Sequence, residues 1–435
     1  MEHVKLISLD PGHFHAALIQ KEMYPWVSPR VAVYAPLGPE VVDYLSRVAQ
    51  FNARPENPTA WELDLRCSPD FLARMLRDRP GNVVVMAGRN RGKIERILAS
   101  LEAGMHVLAD KPWIITSADL PKLEAALEAA ERQGLVAYDI MTERHEITSL
   151  LQRVLVNDPE VFGQPVPGAV DEPGISARSI HHVMKLVAGV PIRRPVWFFD
   201  IVEYGEGFAD VGTHVVDLVQ WTAFPGQPLD YRKDIHLVDA RRWPTLISRE
   251  GFREVTGASA FPASLAAQVQ DGQLHYLCNH WVHYTIRGIH TQLETRWKWE
   301  APAGGGDVYE AAFRGTRARV EVRQGQEERW RPELYVAPNR PALQVEVFAA
   351  LKSRIEALQA AYPGVSLQEQ GEQARLLIPD RFRVGHEAHF GQVTNQFFEY
   401  LKSPKSLPAW EKAYMLAKYY VSSRGVELSR ERGAR

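Results

Sequence analysis

Three groups of side chains in this sequence have the types and spacing that proton transfer and anion binding require. In Asp210-Val-Gly-Thr-His214-Val-Val-Asp217, a helix would put Asp210, His214 and Asp217 at i, i+4 and i+7 on one face. Val211, Val215 and Leu218 would form a second, apolar face. A histidine there is suited to moving protons near neutral pH, and a carboxylate one turn away can fix its tautomer. The same segment also fits a capping aspartate followed by a hydrogen-bonded core histidine. The second group is Asp110-Lys111-Pro112-Trp113, directly after the apolar run His106–Ala109. Lys111 can donate to an alcohol or carbonyl oxygen and stabilise negative charge developing on it, or can be a solvated turn lysine. Pro112 fixes the backbone and permits a cis bond. The third is the turn Asp10-Pro-Gly12-His13-Phe14-His15-Ala-Ala17. The imidazoles of His13 and His15 can donate to a phosphate or can stabilise the loop.

The elements that must hold these groups alternate strand and helix over the first 140 residues. Val4–Leu9, Arg30–Tyr34, Asn82–Met86, His106–Ala109 and Leu135–Ile140 read as strands. Pro39–Phe51 and Arg91–Ala103 have apolar residues at helical spacing, and a third helix, capped by Thr116 or Ser117, reaches Gln133. Gly104 and Gly134 fit the positions just past helix ends. This order predicts parallel, right-handed βαβ units in a doubly wound sheet. The turn at Gly12 then lies where such sheets seat a dinucleotide diphosphate, and Lys111 lies at the carboxyl edge where their ligands bind. Only Gly12 matches the glycine pattern, however, with Asp10 at the first glycine position and His15 near the third. The second strand ends in Tyr34-Ala-Pro-Leu-Gly38, without a carboxylate for a ribose hydroxyl or a cation for a 2′-phosphate, so the residues leave NAD and NADP both open.

Beyond Asn157 the pattern changes. Pro159–Gly174 reads as a loop, and Thr291–Glu300 and Arg317–Arg323 alternate with period two, predicting strands with one solvated face in a mostly antiparallel sheet. Helical spacing returns from Phe390 to about Leu428, with Val393, Phe397 and Leu401 and then Ala413, Leu416 and Tyr420 expected to pack inward. The fold class expected is α/β: an N-terminal doubly wound parallel sheet in residues 1–145, then an α+β domain in residues 146–435 with a large open sheet and terminal helices packing back.

Length and charge are consistent with this. The chain has 435 residues and a formal net charge of -2, enough for two or three domains at about 150 residues each and without the basic footprint of a nucleic-acid binder. Two cysteines, Cys67 and Cys278, cannot build a disulfide framework, and no secretory or membrane-spanning run is evident. A cytoplasmic protein is expected. His181-His182, His386 with His389, and Cys278 with His280 lack a full ligand set at diagnostic spacing, so no metal is expected. Trp197, Trp221, Trp281, Trp297 and Trp299 can stack on sugar faces but are expected mainly in core or subunit contacts. The basic stretch Arg329–Arg340 is expected to be a solvated loop.

Asn82-Val-Val-Val-Met-Ala-Gly-Arg-Asn90-Arg, then Leu101-Glu-Ala-Gly-Met-His-Val-Leu-Ala-Asp110-Lys111-Pro112, and later Gly205-Glu-Gly207 with Asp210-Val-Gly-Thr-His214-Val-Val-Asp217 together resemble two signatures of the Gfo/Idh/MocA family of NAD(P)-dependent sugar and polyol oxidoreductases. The similarity extends loosely over the whole chain. It implies a Rossmann domain and a second domain with an open, mostly antiparallel sheet. The active site would lie in a cleft between them. Carried over, Lys111 would assist at the substrate oxygen and His214 would be the acid/base, oriented by Asp210. Gly12, His13, Phe14, His15, Asn90, Asp110 and Pro112 would line the cofactor, NAD or NADP. Asp110 replaces the family's usual Glu, the glycine turn is degraded, and the ribose-reading residue is missing. The function expected is hydride transfer between a nicotinamide cofactor and a carbohydrate or polyol. The alternatives are a glycosidase that keeps its NAD and oxidises the sugar transiently, and a non-catalytic nucleotide or sugar sensor. The exposed sheet face suggests a homo-oligomer, a dimer or tetramer.

Overall fold

The computed structural model describes residues 4–187 and 190–433; the ends of both sequence-drawn domains, at residues 1–3 and 434–435, lie outside them. Contacts divide the chain into two compact units, neither continuous in sequence. One comprises Met1–Thr142, Val202–Gly205 and Gly385–Lys412, the other Glu143–Ile201, Glu206–Val384 and Ala413–Arg435. The helix His386–Lys402 therefore belongs with the first unit, not with the second as expected. Its Phe390, Val393, Phe397 and Phe398 are part of one buried cluster with Val31, Val33, Tyr44 and Tyr138, and that apolar face accounts for its return.

In the first unit, β1 (Leu6–Leu9), β2 (Arg30–Ala35), β3 (Glu62–Cys67), β4 (Val83–Met86), β5 (His106–Ala109) and β6 (Ala137–Asp139) form a sheet in the order β3-β2-β1-β4-β5-β6. Every pairing is parallel. The helices are α1 (His15–Leu18), α2 (Pro39–Ala53), α3 (Phe71–Asp78), α4 (Lys93–Glu102) and α5 (Leu120–Gln133). Strands β1, β4 and β5 are mostly apolar and almost wholly buried, as a sheet covered on both faces requires. Gly104 and Gly134 end α4 and α5 at φ +82° and +66°, the left-handed conformation glycine adopts without cost. Because β1 pairs with both β2 and β4, the direction of winding reverses between β1 and β4, and the sheet's ligand crevice opens at their carboxyl ends.

In the second unit nine of the ten strands of the large sheet run in one path, Ile235–Ile247, Gln273–Ile286, Ile289–Lys298, Ile175–His182, Val308–Arg314, Ala318–Gln324, Glu333–Pro338, Gln373–Leu377 and Ser366–Gln370. All neighbours are antiparallel except Ile289–Lys298 with Ile175–His182. Thr291, Leu293, Thr295 and Trp297 point inward as their alternation predicts, and so do Ala318, Val320 and Val322. Glu333–Pro338 is a strand, which corrects the expected loop at Arg329–Arg340: Leu334 and Val336 are fully buried, so apolar alternation outweighs the flanking charge. The last helix, Ala409–Gly433, buries Tyr414, Ala417, Tyr419 and Val421, one position off the face expected from Ala413, Leu416 and Tyr420. No helix among the described residues is long and apolar enough to cross a membrane.

Candidate active site

The turn after β1 is built differently from a glycine-rich one. Asp10 takes φ +51°, the left-handed conformation that glycine ordinarily supplies and that Asp tolerates better than most residues. Gly88, just past β4, lies so close that a Cβ there would sit 2.3 Å from the Asp10 carbonyl oxygen. The amides of Gly12 and His13 both donate to the Ala87 carbonyl at 2.9 Å, so these two are spent on closing the turn. The helix that follows, α1, is only four residues long. Side chains, more than amides or a helix end, supply the polar character of this edge.

Those side chains form one cluster. His15 Nδ1 lies 2.7 Å from Asp110 Oδ2, and His13 Nδ1 lies 3.5 Å from the same oxygen. His386, at the start of its helix, brings Nε2 to 3.1 Å from His15 Nε2. Phe14 stands with its ring 4.5 Å from His13 and 4.3 Å from His15. Burial alone would raise the Asp110 carboxyl, but His15, His13 and the Lys111 ammonium outweigh it and hold the group well below the usual carboxylate range. Burial, with His15 and the Lys111 and Lys93 ammonium groups, holds the His13 imidazole well below its ordinary value against the pull of Asp110. Asp110 is thus ionised and His13 neutral at pH 7, and Lys111 lies within electrostatic reach of both.

Lys111 itself is half-buried, between buried Asp110 and Pro112, and the Lys111–Pro112 bond is cis. Trp113 behind it is fully buried and donates Nε1–H to the Ala109 carbonyl, which fixes the turn to the end of β5. Asn90 is buried and its amide is committed at both ends: Nδ2 donates to the Tyr204 carbonyl at 2.7 Å, and Oδ1 accepts from Lys93 Nζ at 2.6 Å. Lys93 also donates to the Asp110 carbonyl at 3.1 Å. Asn90 thereby ties the segment Val202–Gly205 to the sheet edge.

In the second unit Asp210 and His214 lie on the helix Gly207–Ala223. Every residue from Gly207 to Thr222 is buried except His214. Close packing enforces this: a Cβ at Gly207 would sit 2.0 Å from the Cys278 carbonyl, and one at Gly212 would strike the Phe208 ring at 2.5 Å. Asp217 does not extend an acid–imidazole–acid stripe, as the helical spacing suggested. Its carboxylate accepts from Arg144 Nε at 2.6 Å and Nη2 at 2.7 Å and from Lys418 Nζ at 3.0 Å, all deep in the unit. Burial would raise its pKa, but Arg144 and Lys418 hold it far below the usual range. Asp217 is a structural ion.

Glu206, which caps the same helix, is fully buried and draws together His280 Nε2 at 2.9 Å, Arg242 Nη1 at 2.6 Å and Arg430 Nε at 2.9 Å. Glu206 stands inside the Gly205-Glu-Gly207 motif, but its partners lie 36 to 224 residues away and no local pattern reveals them. The contact of His386 with His15 likewise crosses 371 residues of sequence. The other histidine and cysteine candidates separate. His181 and His182 both lie beside Asp307, at 3.3 and 3.1 Å. His389, one turn after His386 on the same helix, is buried. Burial pushes the Cys278 thiol up to about 12, whereas Cys67 is only half-buried. A thiol reagent at pH 8 should therefore modify Cys67 alone in the native protein and both cysteines in denaturant; rapid native labelling of Cys278 would contradict its placement. Trp197, Trp221 and Trp297 are buried, in keeping with core roles.

Residues 151–430 match the family described as "Putative oxidoreductase C terminal domain". A crystal structure of a "putative oxidoreductase" from Parabacteroides merdae is 46% identical, covers 99% of this chain and 98% of its own, and superposes with a TM-score of 0.97. Levoglucosan dehydrogenase in complex with NADH and levoglucosan shares the fold at 14% identity, covering 98% and 97% with a TM-score of 0.60. GenD2 from gentamicin A biosynthesis, in complex with NAD, does so at 15% identity, covering 99% and 95% with a TM-score of 0.59. No curated protein matches the chain. With a doubly wound unit that carries Asp110-Lys111-Pro112 at its ligand edge, an open-sheet unit that carries Asp210 and His214, and these relatives, the chain belongs to the Gfo/Idh/MocA family of oxidoreductases.

Proposed function

We propose that the protein is a nicotinamide-dependent dehydrogenase or reductase acting on a hydroxyl or ketone of a carbohydrate or polyol. The observation that carries this reading is the partial exposure of His214 in a stretch, Gly207 to Thr222, whose fifteen other residues are all buried, with buried Asp210 one turn before it. A packed helix that leaves one imidazole partly exposed is suited to moving a proton.

The residues of the first unit fit a dinucleotide. The crevice expected at the reversal between β1 and β4 has the half-buried Lys111 and the His13 imidazole at its edge, with the buried Lys93 ammonium behind them. That donor set suits a diphosphate. Gly12, His13, Phe14 and His15 would hold the diphosphate side, with Asp110 and Pro112 shaping the floor, Asn90 supporting them, and NAD and NADP both admissible. When bound, the nicotinamide ring accepts or supplies the hydride. In the direction of oxidation His214 takes the hydroxyl proton, Asp210 orients the imidazole, and Lys111 donates to the substrate oxygen as charge gathers on it. The sugar class is supported by the levoglucosan and L-sorbose bound in fold relatives. A homo-oligomer in the cytoplasm fits the same reading.

Native mass spectrometry of the purified protein tests it. A mass increment equal to NAD(H) or NADP(H), retained on gentle transfer and lost on unfolding, is expected after incubation with the dinucleotides. No increment with either would overturn the reading.

A further inference from the structure

The histidine turn contains a second kind of chemistry. His13, His15 and Asp110 bring two imidazole nitrogens and a carboxylate oxygen within 4.8 Å of one another. Donor atoms on a tetrahedral ion with bonds of about 2.0–2.1 Å stand about 3.3 Å apart. The observed 3.5 Å from His13 to Asp110 already matches that separation, and the 2.7 Å from His15 needs to open by only about half an ångström.

We infer that His13 Nδ1, His15 Nδ1 and the Asp110 carboxylate form a divalent transition-metal site. Three further observations support it. His13 Nδ1 is buried and has no hydrogen-bond partner among the described residues, a polar atom left for a ligand. The far nitrogen of His15 faces His386 Nε2 at 3.1 Å, and a partner on the second ring nitrogen is the usual support of a metal-bound histidine, since it fixes the tautomer and leaves the lone pair for the ion. Finally, the side chains that depart from the glycine-turn and Glu-Lys-Pro patterns, His15 and Asp110, are the ones that meet here.

The chemistry also limits which ion fits. Lys93 and Lys111 oppose a cation, and a single carboxylate is too little oxygen for Mg2+ or Ca2+. Two imidazoles and one carboxylate select Zn2+, Co2+ or Ni2+. Three protein ligands leave a position open for water or another oxygen donor. The site shares His13, His15 and Asp110 with the proposed dinucleotide pocket, so it is tested without nucleotide.

Untagged protein loaded with Zn2+, freed of excess by gel filtration and analysed by mass-spectrometric metal determination tests the inference. Near-stoichiometric zinc is expected in the wild type, with zinc lost in the His13→Ala variant. The His13 side chain is 20% exposed and lies in a turn, so that variant should fold, which a thermal melt verifies. His386→Ala should still bind, with affinity lowered about 10–100-fold. Co2+ loading should give the intense visible absorption of a four-coordinate ion in the wild type only. Wild-type protein without zinc, or equal zinc in wild type and His13→Ala, would overturn the site. Nucleotide retention by metal-free wild-type protein, measured separately, distinguishes failure of the metal site from failure of the dehydrogenase reading.

Discussion

Replacing Lys111 with alanine is expected to lower kcat/KM for any sugar or polyol oxidised by the protein about 10²–10³-fold, or about 2.7–4 kcal/mol. The effect should be this large because, in the proposed role, an ammonium donating to a developing alkoxide acts mainly in the transition state. The fold should hardly change. Lys111 is half-buried, and the residues that fix the turn, Asp110, Pro112 and Trp113, all remain. The melting midpoint should therefore move by less than about 1 kcal/mol equivalent. Lys111→Arg should not restore activity, since the planar fork cannot reproduce a compact point donor. Full activity in Lys111→Ala would remove the residue from the mechanism.

Asp217→Ala should act on stability instead. The substitution removes the carboxylate that Arg144 and Lys418 share in a site where all three are buried. Deleting one member of such a set costs about 3–5 kcal/mol, because the remaining charge is left in low dielectric. Denaturant titration should show this as a fall in midpoint. The same ion sets a pH dependence. The native carboxyl titrates far below its unfolded value of about 3.9, so the unfolded chain binds the proton first. Its contribution is fully present above about pH 4 and is lost as the pH falls further toward the native value. The variant should accordingly lose less stability than the wild type below pH 4. A midpoint within about 0.5 kcal/mol of the wild type would show that the ion set is not structural.

These two residues also show how far the sequence could be read. Lys111 sits where an apolar strand ends, and strand ends are legible because β1, β4 and β5 are short, mostly apolar runs. Asp217 was grouped with Asp210 and His214 because helical spacing gives direction but not which direction meets solvent. Arg144 and Lys418, which decide the matter, are 73 and 201 residues away. Strand β3 escaped notice for a related reason: Glu62-Leu-Asp-Leu-Arg-Cys67 lies at the edge of its sheet, and its charges resemble those of a loop. The return of the helix His386–Lys402 to the first unit depends on apolar partners supplied by β2 and α2, which no local pattern reveals. The histidine turn was legible as a departure from the glycine pattern. Its meaning needed Asp110 and His386 brought beside it by folding.

The central claim is that the Lys111 amine and the His214 imidazole, carried by different units, act on one substrate oxygen beside a nicotinamide. A crystal structure of the protein with bound NADH and a sugar or sugar analogue tests this most directly. Both side-chain nitrogens are expected within about 3.2 Å of the same ligand oxygen, on the face presented by C4 of the ring. Nitrogens on opposite sides of the ring, or a dinucleotide seated away from the turn at Gly12, would contradict it.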